Sequence, residues 1–186
     1  MSSGTYQEVL VTSIGDGPTL TAAARASCLH TSAVFTLPNN FFAVGKRVRI
    51  AARGRISTAA TPGTGRFDLG FSGTANCDTS AFAMKASVTT VPWWLEMVGT
   101  CRTVGSGTLS TIFWFGQFQS EAVIGSPAPA AGGAGAIVFS HNAWGIAPVI
   151  GAGFNPTAAL ALDLSWTPSL TTASLICHDY ALEALN

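Results

Sequence analysis

The sequence predicts an all-β protein folded as an antiparallel β-sandwich, and three observations carry that prediction. Where the apolar residues are patterned they recur with period two, the spacing that puts alternate side chains on one face of a strand. Ten such runs are each bounded by clusters of Gly, Pro, Asn or Ser. No window holds a sustained i, i+3, i+4, i+7 apolar stripe. The number of strands ranks a jelly roll, two sheets sharing roughly eight core strands, above an immunoglobulin-like sandwich. A chain of 186 residues fits one domain, 1–186. No repeat of about 20–50 residues is present, which sets aside solenoids and propellers.

In chain order the expected strands are 7–14, 33–37, 48–56, 66–71, 82–88, 93–104, 109–120, 136–139, 159–166 and 174–183. The third is the clearest: Val48, Ile50, Ala52 and Ile56 take one face, and Arg47, Arg49, Arg53 and Arg55 the other. Residues 19–25 are a short helical candidate. The C-terminal 180–185 have helix propensity, but Ile176, His178 and Tyr180 alternate with Cys177, Asp179 and Ala181, so a strand is expected there. Residues 122–162 carry no charged side chain, and the Gly/Pro/Ala-rich run near 125–135 reads as a long surface loop. That loop is either a plain connection or a segment that lies on a neighbour.

Nine basic and nine acidic residues give zero net charge in a chain of 19.1 kDa with a mean hydropathy of +0.39. This composition argues against a disordered tail and a broadly basic nucleic-acid binder. No run nears the ~18 apolar residues of a membrane span, and the first residues lack a secretory pattern. A folded monomer of this mass exposes roughly 8,400 Å². Eighteen charged side chains cover that surface thinly, so burial in an assembly is favoured over a monomer coated with Ser and Thr. Cys28, Cys77, Cys101 and Cys177 form no C-x-x-C pair, which excludes a zinc ribbon and a thioredoxin-like motif. Buried free thiols are the favoured state, although an even count leaves disulfides open.

Catalytic signals are sparse. Of the three histidines, His30 adjoins a turn, His141 sits in Ser-His-Asn, and His178 precedes Asp179 in a strand, where adjacent side chains point apart. No H-x-H, H-E-x-x-H, calcium-loop, Walker or dinucleotide pattern occurs, and Gly70-Phe71-Ser72-Gly73 lacks nucleophile-elbow spacing. Asp68 with Asp78, and Glu96 with Glu121, carry no signature beyond being carboxylates. The expectation is a protein without catalytic residues, metal or cofactor.

Lys46, Arg47, Arg49, Arg53 and Arg55 place five of the nine positive charges within ten residues. Three readings follow: a solvated face paired with acids on a neighbouring strand, a subunit or partner contact, and a nucleic-acid surface. Zero net charge counts against the third, as does the reading of Phe41 and Phe42 as core. Trp93 and Trp94 send adjacent indoles to opposite faces, so one is expected in the core and the other under a loop or at an interface. Candidate subunit or partner contacts are therefore Arg47, Arg49, Arg53, Arg55, Trp93 and Trp94.

Several strings together carry a resemblance. They are Thr36-Leu37-Pro38-Asn39-Asn40-Phe41-Phe42 leading through Gly45-Lys46 into Val48-Arg49-Ile50 and Gly54-Arg55-Ile56-Ser57; Trp93-Trp94-Leu95-Glu96; Gln119-Ser120-Glu121; and the ending His178 to Asn186. The chain resembles small all-β virion proteins of tailed bacteriophages, of the capsid decoration (cement) type. That resemblance implies a non-enzymatic protein made in the host bacterial cytoplasm. It implies a homotrimer on the outer capsid surface, stabilising the mature shell through contact with the major capsid protein, with no membrane and no direct nucleic-acid contact. A tail or fibre component that binds a host receptor or carbohydrate is the alternative.

Overall fold

The computed structural model describes residues 7–79, 81–125, 136–140 and 153–185. Among them the strands are β1 (Gln7–Thr12), β2 (Ala26–Ser27), β3 (Phe35–Leu37), β4 (Arg47–Thr58), β5 (Thr64–Phe71), β6 (Thr74–Asp78), β7 (Phe82–Met84), β8 (Val91–Thr103), β9 (Thr111–Ser120), β10 (Val123–Gly125), β11 (Ala136–Ser140), β12 (Leu160–Pro168) and β13 (Ala173–Leu185). All pairings are antiparallel. One sheet runs β1-β13-β4-β8-β9-β11. The other runs β10-β7-β5-β12-β2, with β6 also on β5 and β3 also on β12. The antiparallel β-sandwich expected from the period is the observed architecture. Residues 126–135, where the long loop is expected, and His141 lie outside the described residues.

Alternation along β4 sends Val48, Ile50, Ala52, Gly54 and Ile56 inward and leaves its four arginines outward. Between the sheets Phe67 of β5 sits at the centre of an aromatic layer. Its ring lies 4.8 Å from Phe118, 4.8 Å from Trp166 and 5.3 Å from Trp93. Bulky indoles fit there because neighbouring strands supply glycine. A Cβ at Gly99, the cross-strand partner of Trp114, would stand 2.4 Å from that indole. A Cβ at Gly65 would stand 2.0 Å from the Trp166 ring. At Gly54 it would meet Trp93 at 2.9 Å and the Ile176 carbonyl at 1.9 Å. Trp114 Nε1 donates to Asn76 Oδ1 at 2.7 Å, a buried bond that ties one sheet to the other. A second cluster, Phe42 with Phe71 and Phe154, closes one end of the core.

Two local expectations are corrected. Residues 19–25 form no helix. Leu20 instead exchanges two backbone hydrogen bonds with Leu175, at 2.9 and 3.0 Å, adding a bridge outside the strands. In β13 a register shift between Cys177 and Asp179 breaks the alternation, so His178 and Asp179 are both exposed while Cys177 and Tyr180 both face the core. The C-terminal segment is otherwise the expected strand. The four cysteines are free and buried. Burial raises the pKa of the Cys28 and Cys77 thiols, which keeps them protonated and unreactive.

Candidate functional site

The outer face of the six-stranded sheet gathers most of the singled-out side chains, because strand pairing sets them in rows across β13, β4, β8 and β9. In one row Glu183, Arg49, Val98 and Phe115 are consecutive partners; in another, Asp179, Arg53, Trp94 and Gln119. Arg49 Nε lies 3.3 Å from Glu183 Oε2 and 3.5 Å from Glu96 Oε1, bridging acids on both adjacent strands. Arg53 Nη1 lies 3.3 Å from Asp179 Oδ2. Arg55 Nη1 donates to the Thr90 carbonyl at 2.8 Å. Arg47 is exposed at the end of β4, opposite Leu185 and Thr100. Pairing with acids on neighbouring strands is thus observed for Arg49 and Arg53, and Arg55 is held by backbone.

The two tryptophans part company, as adjacent strand residues must. Trp93 is only 2% exposed, packs on Phe67, and donates to the carbonyls of Ile176 and Arg55 at 3.2 and 3.3 Å. It is a core side chain, which corrects its place among the contact candidates: the gap above Gly54 takes its ring. Trp94 is half-buried on the outer face, and its Nε1 donates to Gln119 Oε1 at 3.0 Å.

Around Trp94 the face dips into an open groove of about 930 Å³. Arg53, Arg55, Pro92, Trp94, Glu96 and Gln119 line it, with Glu121 and His178 at its margins. His178 Nδ1 sits 2.8 Å from Asp16 Oδ1, so its carboxylate partner is Asp16 and not the adjacent Asp179. Glu121 pairs with Lys85 at 3.3 Å. Thr90, beside the groove, has φ +55°, in the left-handed region that a β-branched residue adopts only under constraint. Two bonds supply that constraint: the Arg55 bond to its carbonyl and a 2.8 Å bond from its N–H to Ser57 Oγ. Further along the strands Phe115 (59% exposed) and Val9 (56% exposed) stand at the two ends of the row Val9, Glu183, Arg49, Val98 and Phe115. A hollow of about 320 Å³ beside Phe115 is bounded by Val98, Glu96 and Gln117.

Sequence reasoning found Arg53, Arg55 and Trp94 but missed Pro92 and Gln119 as members of one site. Only cross-strand register brings Gln119 beside Trp94. Of the two carboxylate pairs noted in the sequence, Glu96 and Glu121 both line this groove, and Asp68 and Asp78 do not. Asp68 is the strand partner of Asp78 and is buried beneath Arg66 and Arg25, at 3.2 and 3.6 Å. Burial raises its pKa against the pull of both guanidiniums. His30 Nδ1 accepts from Ser32 N–H and caps a single 3₁₀ turn, Thr31–Ala33. Among the described residues no group of three or more His, Cys, Asp or Glu converges as a metal ion requires, and no helix is long and apolar enough to cross a membrane.

No family model matches the chain, and no curated protein matches it. Among solved structures the chain is similar to the CBM2 module of the evolved Dit of Lactobacillus casei BL23 phage J-1. The identity is 11% and the TM-score 0.37, over 98% of this chain and 97% of that one.

Proposed function

We propose that the chain is a non-enzymatic structural protein of a tailed-bacteriophage particle, a capsid decoration protein that docks through the outer face of its six-stranded sheet. One observation carries this reading. A chain with only nine basic residues sets four of them, Arg47, Arg49, Arg53 and Arg55, along one strand of that face, interleaved with Glu96, Asp179 and Glu183 and flanked by exposed Phe115 and Val9. Apolar side chains among alternating charges suit a protein contact, where charge pairs set register and apolar area supplies the driving force. They suit a polyanion poorly, because acids already neutralise Arg49 and Arg53. The strand order supports a jelly-roll frame: β1-β13-β4-β8 faces β3-β12-β5-β7, and the chain crosses between sheets at most connections.

In this reading the protein forms a homotrimer and seats on the major capsid protein at the outer surface of the shell. A protein that binds the mature lattice and not its precursor stabilises the mature lattice by mass action. The decisive measurement is the copy number of this chain relative to the major capsid protein in purified particles, by quantitative mass spectrometry. A simple fraction repeated with the lattice is the expected result, and absence from particles overturns the reading. The second reading, a tail or fibre component, is favoured by the groove at the Trp94 end of the face; a handful of copies per particle selects it.

A further inference from the structure

We propose that the groove around Trp94 binds a neutral oligosaccharide. A pyranose ring presents an apolar C–H face and an edge of hydroxyls that both donate and accept. Its recognition therefore needs a fixed aromatic or apolar floor beside donors and acceptors together. Trp94 and Pro92 provide the floor, and the Trp94 indole is anchored by its bond to Gln119 Oε1. With that oxygen engaged, the Gln119 amide nitrogen is its remaining donor.

The rim balances. Arg53 and Arg55 contribute only donors, and Glu96 and Glu121 only acceptors, so their formal charges cancel. A site for an anion or a cation would carry one excess sign; this one suits an uncharged ligand rich in hydroxyls. Each rim group is also held before any ligand arrives: Arg53 by Asp179, Arg55 by the Thr90 carbonyl, Glu96 by Arg49, and Glu121 by Lys85. Groups already ordered lose less entropy on binding. The left-handed backbone at Thr90 is a cost borne at this spot, as strain at recognition sites often is. A volume of about 930 Å³ has room for several sugar rings.

Saccharide binding is a property of the isolated chain and needs neither particle reading, so its failure and theirs are separable: copy number tests the particle, and titration tests the groove. The purified chain is titrated with cellotriose, maltotriose and tri-N-acetylchitotriose to about 10 mM, following tryptophan fluorescence and the Trp94 indole N–H resonance. At least one sugar is expected to shift that resonance saturably. Trp94→Ala and Gln119→Ala each weaken binding by more than about tenfold, and Trp94→Phe retains part of it. Leu109→Ser, at the far turn between β8 and β9, leaves it unchanged. Should Trp94→Ala fail to fold, Gln119→Ala carries the test. No saturable response to any of the three sugars overturns the proposal, as does binding that survives both groove substitutions, or a response confined to a sulfated trisaccharide or an acidic peptide.

Discussion

The two faces of β4, β8 and β9 are made by the same backbone and obey opposite rules. Inward, shape governs: indoles of Trp93 and Trp114 lie where Gly54 and Gly99 have no side chain, and a single added carbon would stand 2.4 Å from the Trp114 ring. Outward, charge governs: Arg49 and Arg53 face acids at 3.3 Å with much of their side chains in water, where such pairs contribute about 0–1 kcal/mol each. Close packing makes the inner face intolerant of small changes in volume. The outer face, where exposed pairs contribute little, should tolerate substitution without unfolding, which suits it to the contacts proposed for it. The contrast sets residues that hold the fold apart from those proposed to bind.

The largest effect should come from the inner face. Trp114→Ala removes a buried indole together with its bond to Asn76 and should lower unfolding free energy by about 4 kcal/mol in urea denaturation. Gly99→Ala overfills the same place and should cost about 3 kcal/mol; combined with Trp114→Phe it should cost less than the sum, because both substitutions act on one contact. Simple additivity would break the pairing of glycine with indole.

On the outer face, Arg49→Glu with Arg53→Glu should cost only about 1–2 kcal/mol in the same assay while abolishing trimerisation or shell binding, read by sedimentation. Unchanged assembly would return the arginine row to an ordinary solvated face. The smallest effect concerns Tyr180, whose buried hydroxyl has no hydrogen-bond partner among the described residues. Tyr180→Phe should change stability at neutral pH by less than about 1 kcal/mol. Burial raises the Tyr180 pKa, so above about pH 10 the unfolded chain loses a proton that the folded chain keeps. Stability therefore falls as pH rises through that point. The phenylalanine variant should lack that component of the alkaline loss in pH-dependent unfolding.

Strand positions were legible wherever one face meets core and the other water. The run 48–56 extends to Arg47–Thr58, and 174–183 to Ala173–Leu185, with the expected faces up to the bulge. Boundaries moved where backbone geometry intervened. The run 82–88 stops at Met84, short of the left-handed Ser87, and 33–37 yields its start to the 3₁₀ turn that His30 caps. Three strands went unread: Ala26–Ser27, Thr74–Asp78 and Val123–Gly125. Each is too short for alternation to show, or carries Asn and Asp that favour turns, and each is a strand only because a neighbour offers hydrogen bonds.

The order of residues alone determined the class of fold, the segregation of arginine from aliphatic side chains along β4, and the divergence of Trp93 from Trp94. All three follow from the two-residue period of a strand, a purely local rule. That Trp93 enters the core follows from the same period, which groups it with Leu95 and Met97 and groups Trp94 with Glu96; only the pairing of β4 with β8 supplies the gap at Gly54 that its ring fills. The meeting of Trp94 with Gln119 rests on the pairing of β8 with β9, and that of Arg53 with Asp179 on a bulge in β13. Register and bulges are fixed by how the sheets pack, and so the site exists only in the folded chain.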